Sequence, residues 1–191
     1  MAMHPNVTER QAKYFESMRA SLEAATGRSL AEWVEIARTC PEIKHRARLK
    51  WFKETHGLLQ NRASLVIDGA FGSTMPWREA DSLIDDVWSD PAARAIYEAI
   101  DALAMKAPHA VRTARKSYTA WSRTFQFAAA RPIKIGGVML GLAVPPEADP
   151  ALESPRNESW SERLRSRLRI ESAASADARL TALLSNAWEK S

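Results

Sequence analysis

The chain holds one cysteine in 191 residues, Cys40. That excludes an intrachain disulfide and a cysteine-rich zinc site, and it fits a reducing compartment. Long hydrophobic runs are missing as well: the most apolar stretch, Val138 to Val144, is about a third of the roughly 20 residues that a helix needs to span a bilayer. The opening residues include His4, Pro5 and Asn6, where a secretory signal would need a continuous apolar stretch. The expectation is a cytoplasmic protein with no membrane partner. Neither sign of charge dominates, since 27 Lys and Arg against 23 Asp and Glu leave +4, a balance that permits anionic partners without demanding them. There is no internal repeat and no low-complexity tract. The G-x-S-x-G, G-x-x-x-x-G-K-[ST], H-E-x-x-H and G-x-G-x-x-G patterns are all absent, so the sequence nominates no catalytic residue, no metal site and no cofactor.

What is present reads first as short helices. Thr8-Glu9-Arg10-Gln11 and Ser29-Leu30-Ala31-Glu32 match the capping box, in which a hydroxyl accepts an amide proton three residues on while that residue's side chain reaches back. Helices are therefore predicted from Thr8 to Thr26-Gly27 and from Ser29 to Cys40-Pro41. Pro41 suits the first position of a third helix, ending at His56-Gly57, and a fourth is predicted over Asn61–Ala70. Gly72 to Pro76 breaks the pattern and suggests a linker, giving a helical domain over residues 1–73 and a second domain over 77–191.

In the second domain, Trp77–Trp88 and the segment opened by Asp90-Pro91 are predicted helices. After Pro108 the apolar period shifts from 3.6 towards 2, through Val111–Arg115, Tyr118–Ser122, Thr124–Ala130 and Val138–Val144. Trp160–Ile170 fits either a helix or a strand, and the strand is preferred. It would set Arg163, Arg165, Arg167 and Arg169 on one exposed face. A helix over about Ser175–Glu189 closes the chain. The fold class is α+β, a small all-α domain followed by an antiparallel sheet packed with helices.

Charge is more informative than any motif. Basic side chains gather in Lys44–Arg62, in Arg112–Lys134 and in the four-arginine run, while acids gather in Glu79–Asp101 and Glu147–Glu162. Lys116, Tyr118 and Arg123 form the one cluster whose ammonium, hydroxyl and guanidinium groups suit a shared anion. Arg165 and Arg167 extend that candidate site, with Glu158, Glu162 and Glu171 as the alternative internal counter-charges. Phe125 and Phe127 would share a strand face, either as a base-stacking platform or, more simply, as core. Glu42-Ile43-Lys44 spells a nuclease-like E-x-K on a predicted helix, the wrong setting for that chemistry. Asp81 and Asp85 read as a solvated helix face rather than a cation site. His45 and His56, eleven positions apart, are too distant on one helix to share a metal.

The stretch Gly27-Arg28-Ser29-Leu30-Ala31-Glu32-Trp33-Val34, with Lys44-His45 and Trp51-Phe52-Lys53-Glu54-Thr55-His56-Gly57-Leu58, resembles a short helical bacterial domain of unknown function. That domain's pattern runs T-G-[KR]-S-L-E-E-W-V, K-H-G-E-I-V-x-W-L-K and H-G-L-G-H-G-Y-A-N. Lys116-Ser117-Tyr118 and Gln126-Phe127-Ala128-Ala129 resemble its habitual partner, a small α/β domain of unknown function. Some relatives of that partner are labelled predicted transport protein, and some are fused to modules of restriction-type defence systems. The resemblance implies that His45 and His56 are family-motif positions. Arg46-Ala47 and Leu59–Ser64 depart from the pattern, removing its second histidine and its asparagine.

Together these readings predict a non-catalytic binding or interaction module with an anion-favouring basic surface, its partner a protein or an anionic ligand. The alternative is nucleic-acid binding through the basic face, linked to defence systems.

Overall fold

The computed structural model describes residues 7–72, 80–134 and 136–191. The chain falls into two compact units, one spanning Arg10–Met75 and the other comprising Pro76–Ser191 with the segment before Arg10. Most of the proposed linker, residues 73–76, lies outside the described residues, as do 77–79 of the predicted Trp77–Trp88 helix.

The first unit holds helices α1 (Glu9–Thr26), α2 (Leu30–Arg38), α3 (His45–His56) and α4 (Gln60–Phe71). The Ser29 capping box forms as its residues dictate: the hydroxyl accepts from the Glu32 amide and the Glu32 carboxylate accepts from the Ser29 amide at 2.7 Å. Leu22, Trp33, Ala37, Phe52, Val66 and Ile67 close the core. Pro41 does not open α3. Cys40 offers no capping oxygen for a helix that would start there, and the helix begins four residues later with Lys44 at its cap. The Glu42 carbonyl instead accepts from the Arg48 guanidinium at 2.8 Å, so Glu42-Ile43-Lys44 sits in irregular chain rather than on a helix.

The second unit begins with α5 (Ala80–Val87) and α6 (Pro91–Ala104), the latter capped by Asp90, whose carboxylate accepts from the Ala93 amide at 2.8 Å. Five strands follow: β1 (Val111–Ala114), β2 (Thr119–Ser122), β3 (Gln126–Ile133), β4 (Gly137–Leu142) and β5 (Ser166–Ile170). They pair antiparallel in chain order, and α7 (Ala178–Glu189) ends the unit.

Register and strand alternation sort the sheet's side chains into two faces. One carries Thr119, Trp121, Ala128, Ala130, Leu140, Leu142 and Leu168. α6 covers it: Trp121 donates to Asp101 at 2.7 Å, and Tyr97 stacks between Trp88 and Trp121. Burial, with the Asp101 charge adding to it, pushes the Tyr97 hydroxyl up to about 12. The other face carries Ala129, Arg131, Gly141 and Arg167. The segment between β4 and β5 folds back over it. Gly141 allows this approach, because a Cβ there would stand 2.8 Å from the Trp160 indole.

The ladder of four arginines on one strand does not form. β5 begins only at Ser166, where pairing with Leu142 starts, so Arg163 and Arg165 precede it and Arg167 and Arg169 alone share its face. Phe125 likewise lies in the turn before β3, apart from Phe127, which is fully buried.

Candidate functional site

The β1–β2 connection is closed by the Arg115 amide, which donates to the Tyr118 carbonyl at 2.8 Å. This turn presents Lys116 and Ser117 at the rim of an open cleft of about 370 Å³. Arg131 enters from β3, Asn157 and Ser159 from the β4–β5 segment, and Asp86 from the end of α5. Two cations therefore face one carboxylate, with hydroxyl and amide groups between them.

Arg131 is the telling member. Its guanidinium carbon lies 6.0 Å from the Trp160 ring centroid. Its Nε is buried and has no hydrogen-bond partner. Leaving a buried charged donor unsatisfied costs on the order of 1–3 kcal/mol or more, so native structures rarely do it without a function. Neither Lys116 nor Arg131 makes an ion pair among the described residues.

The residues singled out from the sequence go to separate places. Lys116 lines the cleft. Tyr118, half-buried, packs against the sheet's core. Arg123 stands at the far end of β2, about 13 Å of extended strand away, where it donates to the Ser191 carbonyl at 2.6 Å and lies over the Trp188 ring at 4.5 Å. The ammonium, hydroxyl and guanidinium do not converge.

Arg165 faces a second, smaller cavity with Arg163 and Lys190. Arg167 is turned inward. It donates to Glu153 at 2.6 Å and to Glu158 at 2.8 Å, while the backbones of Glu153 and Arg167 exchange two hydrogen bonds. The Arg167 hydrogen bond holds the Glu153 carboxyl below the usual range. Burial raises Glu158, but hydrogen bonds from Arg167 and the Arg156 amide outweigh it, and the net shift is downward. Arg167 is thus corrected from a candidate external ligand to an internal staple, with Glu158 as one of the expected counter-charges. Arg169 pairs with Glu171 at 2.9 Å, again as one of those alternatives foresaw.

His45 and His56 open and close α3, about 16 Å apart along the axis. His56 packs between Trp51 and Trp33, with ring centroids at 4.8 and 5.5 Å. Burial, with Arg28 adding to it, lowers its pKa. The last carbonyls of α3 are capped not by this imidazole but by the Gly57 amide, at φ 67°. Among the described residues no group of three or more His, Cys, Asp or Glu is placed to hold a metal ion. The side chain of Asp81 lies outside the described residues, and Asp85 pairs with Arg94 at 2.8 Å.

Sequence reasoning passed over Ser117, Arg131, Asn157 and Ser159. The one signal for Arg131 was its place in the basic stretch from Arg112 to Lys134, which contains no acid.

No curated protein and no solved structure matches the chain. Among the described residues no helix is long and apolar enough to cross a membrane. Two family models do match: a domain of unknown function, DUF4287, over residues 14–69, and a second, DUF5655, over residues 84–191. The second spans more than half of the chain, including the sheet, both its faces and the cleft, and the protein belongs to the DUF5655 family.

Proposed function

We propose that the sheet-bearing unit is a non-catalytic binding module for a small organic anion, held in the cleft by Lys116, Arg131 and Ser117. The buried, unpartnered Nε of Arg131 carries the reading: an anionic oxygen is the acceptor that would satisfy both its hydrogen bond and its charge. The volume of about 370 Å³ falls within the range of cavities that enclose a whole small ligand, roughly 300–1,000 Å³. Val87 and Pro132 supply apolar wall, and Asn157 and Ser159 supply neutral hydrogen bonds that would set specificity. Asp86 disfavours ligands carrying negative charge over their whole length.

The test is the thermal shift of the full chain with AMP, glycerol phosphate and citrate at constant ionic strength. At least one is expected to raise the melting temperature of the wild type, and Lys116→Gln and Arg131→Gln should each weaken that binding about tenfold or more, the value of one charge-assisted hydrogen bond. Equal stabilisation of wild type and both variants would contradict the assignment. The nucleic-acid alternative predicts oligonucleotide affinity that falls steeply with salt, with a slope of about −0.9 per neutralised phosphate on duplex DNA.

A further inference from the structure

A second cavity, about 180 Å³, lies at the opposite end of the sheet and is lined by Gln126, Ala143, Arg163, Arg165 and Lys190. Gln126 and Arg131 are five positions apart on β3, about 17 Å in an extended strand, and the two cavities have no lining residue in common. The two cavities are therefore distinct.

Three of the five lining residues are cations and none is an acid. Among the described residues Arg163, Arg165 and Lys190 make no ion pair. This contrasts with Arg167, two residues beyond Arg165, which has two carboxylates. Arg163 is held in place by the Phe125 ring, 3.6 Å beneath its guanidinium carbon. The backbone of Arg165 is fixed by its amide, which donates to the Leu142 carbonyl at 2.9 Å. Lys190 ends α7, where the helix dipole welcomes one cation but does nothing for the other two.

The second observation is the Gln126 amide, whose Oε1 is buried without a partner. Rotating the amide about its last side-chain bond exchanges its oxygen and nitrogen, so that an N–H donor takes the orphaned position. Each polar side chain of the cavity can then offer a donor. A lining with three cations and no carboxylate fits an oxyanion of high charge density.

Size narrows the class. The volume equals about six waters at roughly 30 Å³ each and is below the roughly 300 Å³ at which cavities enclose organic ligands. We infer that this cavity takes a terminal phosphate dianion, whether free or as the end group of a phosphomonoester whose remainder stays in solvent. The site is independent of the cleft and does not rest on the function proposed for it.

The experiment is a titration of the full chain, followed by backbone amide chemical shifts, with inorganic phosphate, glycerol 2-phosphate and a phosphodiester oligonucleotide, each against sodium chloride at matched ionic strength. Saturable shifts are expected at Ala143, Arg165 and Lys190 with at least one of the two small probes. Tighter saturation by the phosphomonoester assigns a tethered phosphate, and tighter saturation by inorganic phosphate assigns the free ion. Arg165→Gln and Lys190→Gln should each weaken saturation about tenfold or more, whereas Lys116→Gln and Arg131→Gln should leave it unchanged. The proposal is overturned by shifts no larger than those from chloride, by shifts that Arg165→Gln does not alter, or by a response to the oligonucleotide alone.

Discussion

Arg165 and Arg167 stand two residues apart and meet opposite electrostatic fates. Arg167 lies under the β4–β5 segment with carboxylates on both sides, Glu158 only 2% exposed and Glu153 at the edge. Arg165 faces a cavity shared with two further cations. In the first region positive charge is consumed in holding the chain together. In the second, as at Arg131, it is kept without an internal partner. The lesson is that a basic count of residues says little about a binding surface until each cation's partner is known, because a neutralised guanidinium offers an external anion almost nothing.

The largest expected effect comes from removing the paired cation. Arg167→Met leaves the Glu158 carboxylate enclosed without its counter-charge, and breaking a buried pair from one side costs about 3 kcal/mol. Urea denaturation at neutral pH measures it, and a loss below about 1 kcal/mol would show that the staple contributes little.

Acid should dissolve the same staple. The folded-state pKa values of Glu153 and Glu158 are depressed, so their contribution is fully present above the unfolded carboxylate value of about 4.3. It is lost as pH falls through the folded values. Asp149, brought to about 2 by its hydrogen bond from Arg179, behaves likewise at lower pH. Urea midpoints at pH 6 and pH 3.5 should fall apart in the wild type and converge in Arg167→Met, which has already lost the pair. An equal pH dependence of the two proteins would place the acid sensitivity elsewhere.

The smallest expected effect is the sharpest contrast. Arg165→Gln, in chloride buffer without phosphate, should leave stability within about 0.5 kcal/mol of the wild type or raise it by relieving repulsion with Arg163 and Lys190. A destabilisation comparable to that of Arg167→Met would erase the distinction between the two regions.

These fates also show what the sequence could carry. Helix starts were legible where the signal is local: Ser29 with Glu32, and Asp90 with Pro91, cap the helices that their spacing predicts. One domain of unknown function ahead of another was read from the sequence, and two family models match in that order. Pro41 misled because a proline permits a helix start without supplying the cap. The arginine ladder misled because alternation predicts a shared face only within a strand, and the beginning of β5 is set by pairing with Leu142, a contact across more than twenty residues. Arg131 was invisible as a site residue for the same reason. Its isolation depends on which groups the turn at Lys116, the end of α5 and the β4–β5 segment bring near it.

The central claim is that cations without internal partners, and not the paired ones, receive the external anion. Arginine Nε–H resonances of the wild-type chain, followed during titration with inorganic phosphate at constant ionic strength, test it in one sample. The account predicts saturable shifts of Arg165, or of Arg131 and Arg165 together, while Arg167 stays fixed by Glu153 and Glu158. A uniform, unsaturated drift of all three, or a shift of Arg167 as large as that of Arg165, would contradict it.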